Sequence, residues 1–151
     1  MKNIISGLKV GLKMEDVKLK TFINASVLNE KTGTSKEIRF MIDTGFDGYL
    51  QLNKSDVDEL GLGIVQKSTS TLANGVTIET GITTTKIRIL EEEIINFPIQ
   101  FTENAVPLIG TQLLRTTGRM IIFDYSDGYV TLTRDQGLKE KIKLLVGQEA
   151  K

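Results

Sequence analysis

Apolar and polar residues alternate with a period of two along much of this chain, a pattern that predicts strands rather than helices. Val17, Leu19, Thr21, Ile23, Ala25 and Val27 put one face on a core. A polar loop with Gly33 follows, and residues 38–42 read as a second strand. After Asp43-Thr44-Gly45, residues 48–52 form another short apolar run. Residues 53–61 predict a short helix, with Asn53 as N-cap, Asp56 in the first turn and Gly61 as the stop. Residues 62–90 read as long β ribbons: Val76, Ile78, Thr80 and Ile82 alternate, and the stretch that follows is rich in β-branched residues. Asn74-Gly75 between them is a strong hairpin signal, since both residues tolerate positive φ.

The remaining pattern continues in the same style. Glu91-Glu92-Glu93 reads as a charged turn leading into a strand. Residues 106–118 predict a short apolar strand, a Gly and one or two helical turns. Residues 119–133 form a hairpin around Ser126-Asp127-Gly128, and the tail from Leu138 has helical composition interrupted by Gly147. The architecture is therefore all-β in class, mainly β with one or two short helices, and closure into a barrel or sandwich is expected. A length of 151 residues with no linker or low-complexity tract fits a single domain, residues 1–151.

Composition narrows the chemistry. Lys plus Arg equals Asp plus Glu, 19 each, so the basic excess of a nucleic-acid or membrane-surface binder is missing. No window approaches a membrane span, and the start makes a poor signal peptide, so a cytoplasmic location is expected. The chain has no Cys and no His, which excludes thiolate and imidazole catalysis and the usual zinc sites. A cofactor-free enzyme built from these residues would work with carboxylates, Lys or Tyr. The Glu91–Glu93 run reads as a solvated turn rather than a cation site. Neither a P-loop nor a dinucleotide fingerprint occurs. No metal and no organic cofactor is expected.

Asp43 is the position that calls for explanation. Phe40, Met41 and Ile42 deliver an acid on an apolar strand, and such a placement is costly unless the acid is used. By itself Asp-Thr-Gly also fits a plain strand-ending turn. Its context adds a hairpin with Asn-Gly at the tip, and then "LIGTQLL", residues 108–114, followed by "RMIIFDY".

In this order and spacing, "MIDTG", "LANGV", "LIGTQLL" and "RMIIFDY" resemble the retropepsin-like aspartic proteases, over about residues 17–134. The Phe after Asp-Thr-Gly is similar to the prokaryotic branch of that clan. The resemblance implies a closed acid-protease barrel and an aspartic endopeptidase in which two carboxylates share one proton and activate water. Asp43 would be the catalytic acid, with Thr44 and Gly45 building its loop. Phe46, Asp47 and the hairpin tip Ala73, Asn74 and Gly75 would contact substrate. Leu108, Ile109 and Gly110 would support the loop. Because only one Asp-Thr-Gly is present, the second carboxylate must come from a second copy, so a C2 homodimer is implied. The termini are candidates for its interface. Partners are then the chain itself and a peptide or protein substrate, with no nucleic acid and no membrane. Phe46, Leu50 and the hairpin point to an apolar cleft. Relatives often pair the acid at the Asp47 position with an Arg after the second motif's Gly; Thr111 stands there, leaving Arg115 or Arg119 as substitutes. Two other readings stay open: a non-catalytic dimeric binding or assembly scaffold of the same fold, and a monomeric barrel with a coincidental Asp-Thr-Gly.

Overall fold

A computed structural model of the chain describes residues 4–6, 9–14, 20–90, 92–134 and 136–149. Its elements are β1 (Ile4–Ser6), β2 (Lys9–Lys13), β3 (Phe22–Leu28), β4 (Ser35–Ile42), β5 (Leu50–Asn53), α1 (Lys54–Leu60), β6 (Ile64–Thr71), β7 (Thr77–Ile89), β8 (Glu92–Thr102), β9 (Leu108–Ile109), α2 (Thr111–Thr116), β10 (Met120–Asp124), β11 (Tyr129–Thr133) and α3 (Gln136–Glu149). Two compact units emerge, one from Met1–Thr21 with Gly118–Lys151, the other Phe22–Thr117.

The Phe22–Thr117 unit is a sheet in the order β3-β4-β9-β5-β8-β7-β6, and an extra β3–β7 pairing closes six of its strands into a ring. Closure removes the edges of those six strands and leaves β6 outside, paired among the described residues with β7 alone. The alternation read from the sequence is what fills the barrel. Ile23, Ala25 and Val27 of β3 are buried, as are Ile38, Phe40 and Ile42 of β4. Leu50, Leu52, Ile87, Ile99, Phe101, Ile109 and Leu113 meet them. Each large apolar side chain removed from water contributes roughly 1.5–3 kcal/mol. Val17 and Leu19, which the pattern placed on the first strand, lie outside the described residues.

Local signals hold α1 in place. The Asn53 side chain accepts the Ser55 N–H, and Gly61 ends the helix in the left-handed region at φ 62 with its N–H on the Asp58 carbonyl. Buried Asn29 donates to the exposed-end carbonyls of Leu60 (2.8 Å) and Gly61 (3.2 Å).

One expectation is corrected near residue 91. Glu92 and Glu93 belong to β8, paired with Ile89 and Arg88, and the turn is at Leu90 with φ 51. Glu91 lies outside the described residues. Glu93 is held by Lys86 (2.9 Å) and Arg88 (2.8 Å), so the basic partners on β7 draw this acid into the ladder.

The other unit is a four-stranded sheet in the order β1-β2-β11-β10. β10 and β11 form the expected hairpin, with Gly128 at φ 73 and its N–H on the Asp124 carbonyl (2.8 Å). Leu12, Val130 and Leu132 are buried in it. The tail forms the 14-residue helix α3, whose Ile142, Leu144 and Leu145 are exposed. Among the described residues no helix is long and apolar enough to cross a membrane.

Candidate functional site

The site is built by a two-residue strand lying between two longer ones. β9 runs parallel to β4 (Met41 opposite Leu108, Ile42 opposite Ile109) and antiparallel to β5 (Leu50 opposite Ile109). Chain leaving β4 at Asp43 must therefore pass around the end of β9 to reach β5. Residues 43–49 are that loop, and Gly110 lies under it.

Hydrogen bonds fix the loop at both ends and in its middle. The Asp43 N–H donates to the Ile109 carbonyl (3.0 Å), extending the β4–β9 ladder by one residue. Asp43 Oδ1 accepts the Gly45 N–H at 2.9 Å, and the Asp43 carbonyl accepts the Phe46 N–H at 3.2 Å. From the other side, the N–H groups of Gly110, Thr111 and Gln112 donate to the carbonyls of Tyr49 (2.9 Å), Phe46 (2.8 Å) and Gly48 (3.1 Å). A helix start leaves its first N–H groups without intrahelical partners, and here those of α2 are satisfied by the loop. Leu113 and Leu114 anchor α2 in the core beneath.

The glycines follow from this close approach. A Cβ on Gly110 would collide with the Gly48 carbonyl and lie 2.6 Å from both Phe46 Cδ1 and the Phe46 carbonyl oxygen. A Cβ on Gly48 would lie 2.6 Å from Phe46 Cζ. On Gly45 it would meet Asp43 Oδ1 at 3.2 Å. The Phe46 ring thus lies within the loop, against two glycines.

Asp43 is half-buried, while Thr44, Gly45 and Asp47 are exposed. The Thr111 hydroxyl is directed to the Phe46 carbonyl (3.5 Å). Asp47 and Arg115 are both exposed, and among the described residues no ion pair joins them. Leu50, expected at an apolar cleft, is fully buried in the barrel. Its register partner Ile109 points into the core, so Leu50 does too.

Ala73, Asn74 and Gly75 stand apart at the tip of the β6–β7 hairpin. The turn is tied by Gly75 N–H to the Leu72 carbonyl (2.9 Å) and Leu72 N–H to the Val76 carbonyl (2.8 Å). Gly75 has φ 84, but Asn74 is not at positive φ. The hairpin expected at Asn74-Gly75 is present, but its loop is one residue longer than a two-residue turn, and only its last position takes the left-handed region. Asn74 instead accepts the Val76 N–H on Oδ1 (3.1 Å). The hairpin is exposed along all of β6, and its tip presents Leu72 and Val76 to solvent. Among the described residues no hydrogen bond joins this tip to Asp43. So the structure gathers Asp43–Asp47 with Leu108–Gly110, and leaves 73–75 on a separate projecting element. Sequence reasoning missed Gly48 and Gln112, both at the loop's anchor; "FDGY" with a second Gly two residues after Phe46 was the available signal.

No family model matches the sequence, and no curated protein matches it. Solved structures do. A retropepsin-like aspartic protease from Rickettsia conorii superposes with a TM-score of 0.57 at 20% identity, over 87% of this chain and 94% of that one. The EIAV protease in complex with the inhibitor HBY-793 superposes with a TM-score of 0.53 at 16% identity, over 72% of this chain and 97% of that one. With a closed barrel, an Asp loop threaded around a short strand and these neighbours, the chain has the retropepsin-like aspartic protease fold.

Proposed function

We propose that this protein is an aspartic endopeptidase of a prokaryote, acting as a homodimer in which Asp43 of each subunit faces the other across a twofold axis. The observation that carries the reading is the placement of Asp43: a half-buried carboxylate on a loop held by five backbone hydrogen bonds to β9 and α2 or within itself. One carboxylate oxygen is occupied by the Gly45 N–H, and a carboxylate has acceptor capacity to spare for water. Two carboxylates about 3 Å apart cannot both ionise, so the pair holds one proton between them. One then takes a proton from water while the other donates to the peptide carbonyl oxygen. Thr44 and Gly45 shape the loop, and the β6–β7 hairpin closes over bound substrate, excluding water. The chemistry needs only carboxylates and water, in keeping with a chain that lacks His and Cys.

The Gly45 bond also favours a second reading, a dimeric scaffold of this fold in which Asp43 only braces its loop. Asp43→Asn separates the two. Asn keeps an oxygen for the Gly45 N–H, so the protein should stay folded while cleavage of an unstructured peptide library falls by at least about 100-fold. Wild-type protein that cleaves nothing from acid to neutral pH, or a folded variant with undiminished activity, sinks the protease reading.

A further inference from the structure

A groove of about 300 Å³ opens at the root of the β6–β7 hairpin. Gln51, Gln66, Gln100, Ser68, Thr80 and Thr102 supply its polar groups, and Gly81 lies directly over the buried Phe101 ring at its floor, where a Cβ would sit 2.5 Å from Phe101 Cζ. None of its lining residues is Asp, Glu, Lys or Arg, although a quarter of the chain is charged. The charged residues nearby are committed elsewhere: Lys67 and Lys54 pair with Glu79.

Register connects this groove to Asp43. Met41 is opposite Leu108, Leu108 opposite Gln51, Gln51 opposite Gln100, Gln100 opposite Ile82 and Ile82 opposite Gln66. Residues directly opposite one another share a sheet face, so these six form one row across the sheet. The neighbouring row, Ile42, Ile109, Leu50, Ile99 and Thr83, points into the core. Asp43 lies two residues beyond Met41 and extends the ladder through its bond to Ile109, so strand alternation puts its carboxylate on the face of the glutamine row.

We infer that the groove is a substrate subsite beside the scissile bond, and that it selects uncharged hydrogen-bonding side chains: Gln, Asn, Ser and Thr. This rests on the protease reading for its place in a reaction, and on the groove alone for its chemistry. The Ser68 and Thr80 hydroxyls bond each other (2.9 Å) and Gln51 Nε2 donates to the Val106 carbonyl (3.2 Å), so the Gln66 and Gln100 amides, which both donate and accept, are the groups best placed to match an amide or hydroxyl on the substrate. A carboxylate or ammonium would lose water and find no opposite charge. An aliphatic side chain would leave the groove's amides without the water or partner they had.

The test uses the full chain in two arms. In the first, wild-type protein is given peptides differing at one position near the bond, Gln against Glu, Lys and Leu. In the second, binding of the same peptides to Asp43→Asn is followed by fluorescence anisotropy, which needs no catalysis. The Gln peptide should be preferred by roughly tenfold in each. Gln100 is exposed, so Gln100→Glu and Gln100→Lys should fold, and should turn the preference toward Lys and Glu peptides respectively. Selective binding without any cleavage removes the protease reading, and with it the groove's place beside a scissile bond, but leaves the groove's selectivity for uncharged hydrogen-bonding side chains standing. Cleavage with no preference, or with one that the Gln100 variants do not move, overturns the inference alone. Absence of both binding and cleavage overturns both.

Discussion

The ring of Phe46 occupies the space that a side chain on Gly48 would need: a Cβ there would sit 2.6 Å from Phe46 Cζ and 2.9 Å from Cε2. Gly110 differs, because its forbidden contacts include the backbone carbonyls of Gly48 and Phe46 as well as the ring. The two glycines therefore predict different genetics. Gly48→Ala and Gly110→Ala should each destabilise the fold, by roughly 1–3 kcal/mol or more. Adding Phe46→Ala should recover much of the Gly48→Ala loss and little of the Gly110→Ala loss, as read from urea midpoints of wild type, the three single variants and the two doubles. Equal recovery in both would mean that the ring, not the backbone, is what Gly110 makes room for.

The hairpin tip should be separable from the barrel. Gly75 sits at φ 84, where a Cβ would meet nothing within 4 Å, so the strain expected of Gly75→Val comes from its backbone conformation. It should cost about 1 kcal/mol or more locally. Because β6 is exposed throughout, that cost should appear as faster amide exchange in residues 64–80, with amides of β4 and β8 unchanged. Under the proposed function it should raise KM for peptides. Uniform loss of protection across the barrel would contradict the independence of the hairpin.

Acid should weaken the fold through two glutamates. Hydrogen bonds from Lys67 and then Lys54 lower the Glu79 pKa, and those from Arg88 and then Lys86 lower that of Glu93. A carboxylate whose folded pKa is depressed stabilises the native state above its unfolded pKa, and that contribution disappears as pH falls through the folded value. Glu93 is exposed and Glu79 remains partly open to solvent, so the effect should be small and shrink with salt. Melting temperature measured from neutral pH down through the carboxylate range should fall less steeply in Glu79→Gln and Glu93→Gln than in wild type. Matching slopes at low ionic strength would remove these pairs from the account.

The parts that could be read from the sequence are those set by neighbours along the chain. Asn53 and Gly61 bound α1 as their residue types require, and the hairpin around Gly128 follows from its turn residues. Asp43 arrives on an apolar strand as its flanking residues indicate. What eluded the sequence depends on partners far away. β9 is two residues long and has meaning only because β4 and β5 flank it. The length of the loop around it decides which face Leu50 takes, and so Leu50 is in the core rather than in a cleft. The groove's row of glutamines joins four strands whose register no local pattern specifies. At Asn74-Gly75 the dipeptide announced a turn, but the number of residues in the loop chose its type. In β2, Val10 and Leu12 do alternate in the sequence, with Met14 just past its end, yet interruption by Gly11 and Lys residues kept a strand of five residues from standing out.

The central claim is that one active site needs Asp43 from two chains, and a mixing experiment tests it most directly. Wild-type and Asp43→Asn chains are mixed at constant total concentration, allowed to exchange subunits, and assayed on a cleaved peptide. If each site takes one Asp43 from each subunit of a C2 dimer, activity should follow the square of the wild-type fraction, falling to about one quarter in an equal mixture. Activity proportional to the wild-type fraction, about one half in the equal mixture, would show that each chain works alone and would contradict the shared site.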